Sequence, residues 1–287
     1  MSILAHTDPY IGPCRRNRKF ADARDLVLVA NRIVIEDIGK AFPFANTADT
    51  LVAVTYVNQL SHLCRLGIIF YQCKVFAVTD AEKKSRGGIS AFLVDMDTPG
   101  VKVTASYDLM VDDRPCEVMF DHVRVPASRL IGKEGEGFRL AQSWINAGRL
   151  RHGARSLGVM ERCLELAISY AKQRKTFGAP LAQRQAIQWP IIDIHMDAHK
   201  LRLMLYHAAW KFDRDEDCRA EAYMVKIFGD ERSFWAADRC MQIYGGMGLS
   251  KELPIERFFR DQRSMMITEG AIEVLRMALA RMIMGLT

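Results

Sequence analysis

Gly132-Lys133-Glu134-Gly135-Glu136-Gly137-Phe138 marks the place where this chain changes its period. Before it, apolar residues come in short β-branched runs: Leu26 to Val29, Ile33 to Ile35, Leu51 to Val57, Val75 to Val78, Ile89 to Val94, Val101 to Thr104 and Glu117 to Phe120. Turn chemistry separates them, as in Arg86-Gly87-Gly88, Thr98-Pro99-Gly100 and Asp112-Asp113-Arg114-Pro115, which reads as an antiparallel β-domain. After it the apolar spacing becomes three and four. Leu157, Met160, Leu164, Ile168 and Ala171 form one stripe, and Ile191, Ile194, Ala198, Leu201, Leu205, Ala208 and Phe212 another. Ile272, Leu275, Leu279 and Met282 repeat the pattern in the tail, and a further helix is predicted between about Arg219 and Tyr244. Asp213 to Asp217 reads as a solvated turn between two helices. The expected fold is α+β, an antiparallel β-barrel over residues 1–130 followed by a C-terminal four-helix bundle over residues 131–287.

Composition bounds the rest. With 287 residues, 49% hydrophobic and 26% charged, the chain can bury a real core and lacks the signature of disorder. The longest apolar run, Leu66 to Tyr71, falls well short of a membrane span. A net charge of +6 is a modest excess, and without a basic stripe interleaved with aromatics it gives no support to nucleic-acid binding. Seven scattered cysteines with no CxxC spacing point to a reducing compartment and away from structural zinc. Cys14 to Lys19 is a short basic cluster without the apolar stretch of a signal peptide. An intracellular protein is expected, with cytoplasm and mitochondrial matrix both open.

Several motifs carry chemistry, each with a plainer alternative. The Gly132 to Phe138 turn could offer backbone N–H groups to a phosphate, but it does not fit the dinucleotide G-x-G-x-x-G spacing and serves equally as a connection. Arg174-Lys175-Thr176-Phe177-Gly178, with Gln185 following, places two cations, a hydroxyl and an aromatic in one loop before a helix. Such a loop can grip a pyrophosphate or simply cap the preceding helix. His195 and His199 stand four apart, but no third ligand is marked, so no metal site is expected. Glu269, in Thr268-Glu269-Gly270, opens an apolar helix and is flanked by Met265, Met266, Ile267 and Ile272. Enclosed by them it could act as a general base, whereas exposed it would be an ordinary first-turn acid favoured by the helix dipole.

Taken together, Val123-Arg124-Val125-Pro126 with Gly132 to Gly137, Arg174 to Gly178, Gln242-Ile243-Tyr244-Gly245-Gly246-Met247-Gly248, Arg260-Asp261 and Thr268-Glu269-Gly270 stand in the order and spacing of the acyl-CoA dehydrogenases. The chain resembles that FAD-dependent family from about Phe76 to its C-terminus. The resemblance implies that Glu269 takes the α-proton of an acyl-CoA thioester while the β-hydrogen leaves as hydride to the flavin N5. The Glu269 backbone N–H and a flavin ribityl hydroxyl would then stabilise the enolate-like oxygen. It implies that Arg174, Thr176, Phe177 and Gln185 contact FAD, and that Gln242, Gly245 and Gly246 hold its ADP part in a neighbouring subunit. Ala271 and Glu273 fall near the flavin, and Arg149 and Gly270 beside the substrate. A homodimer or homotetramer follows, with an electron-transfer flavoprotein as acceptor. Some members carry the base on the helix after the Gly135 turn, but the corresponding position here is Gly148, which leaves Glu269.

Departures from the family pattern keep other functions open. Set against that pattern, these 287 residues are expected to lack the family's N-terminal helical domain, and the flavin loop is reduced to Thr7-Asp8-Pro9 and Gly12-Pro13. The strand that packs on the flavin corresponds to Val34-Ile35-Glu36, and the usual Thr and Gln after the base become Ala271 and Glu273. An insert near residues 57–74 separates two similar segments, Leu51 to Val54 and Val75 to Val78. A catalytically impaired assembly subunit and an acyl-CoA oxidase therefore stand beside the dehydrogenase.

Overall fold

The computed structural model describes residues 72–113 and 115–286, together with the backbone of two strands, Ala30–Glu36 and Ala53–Val54. Most of the insert near residues 57–74, the Thr7 to Pro13 segment and the Leu26 to Val29 run lie outside the described residues. The chain divides into two compact units, Met1–Gln142 and Ser143–Thr287.

Among the described residues the strands of the first unit are β1 (Ala30–Glu36), β2 (Ala53–Val54), β3 (Gln72–Val78), β4 (Ile89–Asp95), β5 (Val101–Ser106), β6 (Cys116–Pro126) and β7 (Leu130–Ile131). They form two sheets, of order β2-β3-β4-β7 and β1-β6-β5. The two similar segments around the insert end as neighbours, with Ala53 opposite Phe76 and Val54 opposite Val75. Between the sheets lie Cys73, Val75, Ala77, Phe92 and Val94 from one and Val118, Phe120, Val123 and Val125 from the other. Burying each of the larger side chains contributes about 1.5–3 kcal/mol. In β6 the inward face passes from Val118 and Phe120 to Val123 and Val125, a change of phase that occurs at His122, whose φ is 50°.

The expected antiparallel barrel is not what forms. Among the described residues neither sheet closes, and β1 runs parallel to β6. Closure requires an unbroken ladder around the ring. Here the edge strands β2 and β7 are two residues each, too short to carry one across to the other sheet.

Helix predominates in the second unit. The helices are α1 (Gly137–Gln173, beginning in the first unit), α2 (Gln185–Asp213), α3 (Arg219–Tyr244), α4 (Ile255–Met265) and α5 (Ile272–Met284). Five helices thus replace the expected four. The one not foreseen, α4, is dense in charge, and only Ile255, Gln262 and Met265 are buried in it, so its apolar signal is sparse. The main core joins Met160, Cys163 and Ala167 of α1, Ile194, Ala198, Leu201, Leu205 and Ala208 of α2, and Val225, Ala236, Ala237, Cys240 and Ile243 of α3. The alternating four and three spacing on α2 is the stripe read from the sequence. Helix α3 packs against α2, α4 and α5 and is buried on most of its faces. A second cluster, Ile227, Ile272 and Leu275, pins α5 to α3. Among the described residues no helix is long and apolar enough to cross a membrane.

Candidate active site

Glu269 lies in the connection between α4 and α5, and the backbone there is built to turn its side chain inward. The N–H groups of Ile267 and Thr268 both donate to the Ser264 carbonyl, at 3.0 and 3.1 Å, and the Ile272 N–H reaches back to the Met266 carbonyl at 3.2 Å. Two consecutive left-handed residues, Glu269 at φ 53° and Gly270 at φ 106°, then reverse the chain into α5. A glutamate in that region is uncommon, and such strain persists only where the surroundings over-determine it. The Glu269 side chain is 18% exposed.

Helix α1 forms the wall that it faces. A Cβ placed on Gly148 would lie 2.1 Å from Glu269 Oε2, so only glycine leaves room for the carboxylate in this position. One turn on, His152 brings Nε2 to 3.6 Å from the same oxygen, and Arg151 brings a guanidinium nitrogen to 4.0 Å from Oε1. Arg149 is 8% exposed, donates to Asn146 Oδ1 at 3.0 Å and lies over the Tyr223 ring at 4.7 Å. Burial lowers the pKa of its guanidinium, opposed by Tyr223 and by the negative charge of Glu269. A Cβ on Gly270 would sit 3.6 Å from the Arg149 guanidinium, which places that cation alongside the Glu269 turn.

Beyond His152 a polar cluster is sealed between α1, α3 and α4. Its Nδ1 faces Asp230 Oδ2 at 3.2 Å, and the same oxygen receives Lys226 Nζ at 2.9 Å. Ser156 donates to Asp230 Oδ1 at 2.9 Å, and Ser233 donates to Gln262 Oε1 at 2.7 Å. Lys226 also donates to the Met265 carbonyl at 3.0 Å, which ties α3 to the residues leading into the Glu269 turn. Lys226, Asp230, Ser156, Ser233 and Gln262 are fully buried and His152 is nearly so. Sequence reading picked out none of these six. The available signal was the i, i+4, i+8 spacing of Gly148, His152 and Ser156, which shares one helix face, and the i, i+4 pair Lys226 and Asp230.

The remaining sequence-predicted residues gather elsewhere. Lys175–Thr176 and Ala179–Pro180 pair as a small hairpin, β8 and β9, around Phe177 and Gly178. Both of these have positive φ, 49° and 79°, the backbone of a two-residue type I′ turn. Arg184 donates to the Thr176 carbonyl and stands 5.4 Å from the Phe177 ring centroid, holding the hairpin from below. Phe177 is 97% exposed, and Arg174 and Gln185 are exposed with it. Gln242, Gly245 and Gly246 are exposed at the end of α3, and a Cβ on either glycine would meet nothing within 4 Å. Tyr244 stacks on Tyr170 at 4.1 Å and donates to the Leu166 carbonyl, so this turn rests on the C-terminal part of α1, close in sequence to the hairpin. Gly148 stands 22 residues before Tyr170 on the same helix, roughly 33 Å along its axis at ~1.5 Å per residue. Glu269 and Arg149 are therefore brought together, whereas the hairpin and the glycine turn form a second group at the far end of α1. Ala271 is half-buried directly before α5, and Glu273 is exposed in its first turn. Among the described residues no group of three or more His, Cys, Asp or Glu side chains is placed to hold a metal ion.

Residues 135–284 match the family described as acyl-CoA dehydrogenase, C-terminal domain. An acyl-CoA dehydrogenase of Bacillus subtilis is 39% identical over 212 residues, which cover 73% of this chain and 56% of that protein. Among solved structures, butyryl-CoA dehydrogenase from Megasphaera elsdenii superposes with a TM-score of 0.69 at 33% identity, covering 73% of this chain and 55% of that one. The structure of PigA with FAD and proline gives 0.70 at 27% identity, covering 75% and 60%. The chain belongs to the acyl-CoA dehydrogenase family. It spans about half the length of the curated relatives it matches.

The residues of the second group fit FAD in their chemistry. An exposed arginine and an exposed aromatic ring on a rigid hairpin suit a pyrophosphate and a flat heterocycle. The two unobstructed glycines let a ligand approach the backbone closely.

Proposed function

We propose that this protein is an FAD-dependent acyl-CoA dehydrogenase in which Glu269 is the base that removes the α-proton of the thioester. The observation that carries this reading is the Glu269 carboxylate itself. It is held on a strained left-handed turn, four-fifths buried, against a glycine that leaves space for nothing else. A carboxylate fixed in this way loses little freedom when it meets a carbon acid. The neighbouring cations Arg149 and Arg151 would attract the negative charge that develops on an enolate-like oxygen. FAD, when bound, supplies the acceptor for the β-hydrogen and its electron pair. Arg174, Thr176, Phe177 and Gln185 would hold its pyrophosphate and adenine side together with Gln242, Gly245 and Gly246. Their distance from Glu269 along α1 favours a cofactor shared between two chains.

A homodimer or a tetramer built from dimers agrees with α2, which exposes Trp189, Ile192, Met196, Leu203, Tyr206 and Trp210 along one face, all between 48% and 64% exposed. Their spacing of three, four, seven, three and four is that of a helix packing on a partner. An electron-transfer flavoprotein would be the final acceptor of the electrons taken from substrate. Purification tests the reading directly. A yellow oligomer whose flavin band is bleached by an acyl-CoA is the expected result. A folded, colourless oligomer would instead assign the chain an assembly role, and oxygen consumption without an acceptor flavoprotein would make it an oxidase.

A further inference from the structure

The buried cluster behind Glu269 is costly unless it serves the site. Six polar side chains are sealed from water there, two of them the oppositely charged Lys226 and Asp230, and the desolvation of such a pair commonly offsets its attraction. An apolar filling of the same volume would hold the helices as well. What the polar version provides is direction. Asp230 is itself fixed on three sides, by Lys226 at 2.9 Å, Ser156 at 2.9 Å and His152 at 3.2 Å. An ionised carboxylate can only accept, so this contact with His152 Nδ1 calls for a ring proton at Nδ1, and Nε2 stands 3.6 Å from Glu269 Oε2. Lys226 balances the charge of Asp230, which lets the aspartate orient the ring while the pair stays neutral as a whole.

We propose that His152 is a positioning residue for Glu269, locked as the Nδ1–H tautomer by Asp230 so that Nε2 receives the proton Glu269 has taken from substrate. This rests on the reading of Glu269 as base. The substrate Cα–H bond breaks and its proton bonds to a Glu269 oxygen; its electron pair forms the new Cα=Cβ bond as the Cβ–H bond breaks, the β-hydrogen leaving with that bond's electron pair for the two-electron acceptor that FAD would supply. That O–H bond then breaks toward His152 Nε2. Glu269 returns to carboxylate, and His152 becomes an imidazolium with one N–H on Asp230 and the other on Glu269. Gly148, His152 and Ser156 follow one another along the same face of α1, so one helix supplies the space for the base, the proton acceptor and a support for Asp230.

Two measurements test this. Two-bond ¹H–¹⁵N correlation of histidine-labelled protein should show His152 protonated at Nδ1 and bare at Nε2. Asp230→Asn should disturb that tautomer, and Glu269→Gln should shift the Nε2 resonance. A His152 protonated at Nε2, or one unresponsive to Glu269→Gln, would overturn the proposal whether or not flavin is bound. Kinetically, His152→Gln fills similar volume and can still donate to Asp230 but cannot take up a proton. It should lower the rate of substrate-driven flavin bleaching about 100-fold, the lower end for a positioned acid–base group, with KM and melting temperature retained. A bleaching rate within about twofold of wild type would also overturn it. Should the wild-type chain not be bleached by any acyl-CoA, Glu269 fails as base, while the NMR pattern still decides whether His152 is aimed at it.

Discussion

Gly148→Ala is the sharpest perturbation that the geometry offers, because it adds a single methyl group and aims it at the carboxylate of the proposed base, Glu269. The new Cβ would stand 2.1 Å from Glu269 Oε2, 3.0 Å from Cδ and 3.3 Å from Oε1. A carbon and an oxygen in van der Waals contact keep about 3.3 Å, so Oε2 must retreat by about 1.2 Å. The obstacle is the far end of a flexible side chain, so the carboxylate can turn away at little cost in folding energy. Alanine in a helix interior is also favoured over glycine by about 0.5–1 kcal/mol. Stability should therefore hold or rise slightly. Catalysis should not, since a misplacement of about 1 Å costs on the order of 100-fold, or about 2.7 kcal/mol of transition-state stabilisation. The assay is anaerobic stopped-flow reduction of the bound flavin by acyl-CoA, beside a thermal melt of the same sample. A slowed reduction with an unchanged or raised Tm is expected. Wild-type reduction in a folded Gly148→Ala protein would show that the proton is not taken by a carboxylate lodged against this helix.

Two further outcomes follow from the packing. Replacing Leu203 and Tyr206 by glutamate puts charge into the exposed apolar face of α2, and light scattering should report a smaller particle with its helical circular dichroism intact; unchanged mass would place the interface elsewhere. Lys226→Met strips the buried Asp230 of its cation and should destabilise the fold by about 3–5 kcal/mol in urea unfolding, with Lys226→Met/Asp230→Asn recovering much of the loss. Equal destabilisation in the single and double variants would mean that the pair is not coupled.

The helical unit was largely legible because α2 alternates sharply between its faces. The stripe at Ile194, Ala198, Leu201, Leu205 and Ala208 is buried and its opposite side is not. Helix α4 was missed for the opposite reason, its charge outweighing three buried positions. Strands β3, β4, β5 and β6 fall on the β-branched runs read from the sequence, whereas the two-residue β7 was not anticipated, and sheet closure depends on pairings between distant segments that no local pattern encodes. The parallel run of β1 beside β6 is of this kind. At the site, Glu269 and Arg149 were visible through motif resemblance. The cluster of His152, Asp230, Lys226 and Gln262 was hidden, because polar residues at core-facing helix positions look like surface residues until the partner helix is in place.

The most direct measurement is flavin reduction by Glu269→Gln. The amide keeps the size of the carboxylate and should leave the protein yellow and folded, but it cannot accept a proton. Addition of an acyl-CoA that bleaches the wild type should leave the flavin band of Glu269→Gln unchanged over the same time. Bleaching of that variant at the wild-type rate would remove Glu269 from the chemistry.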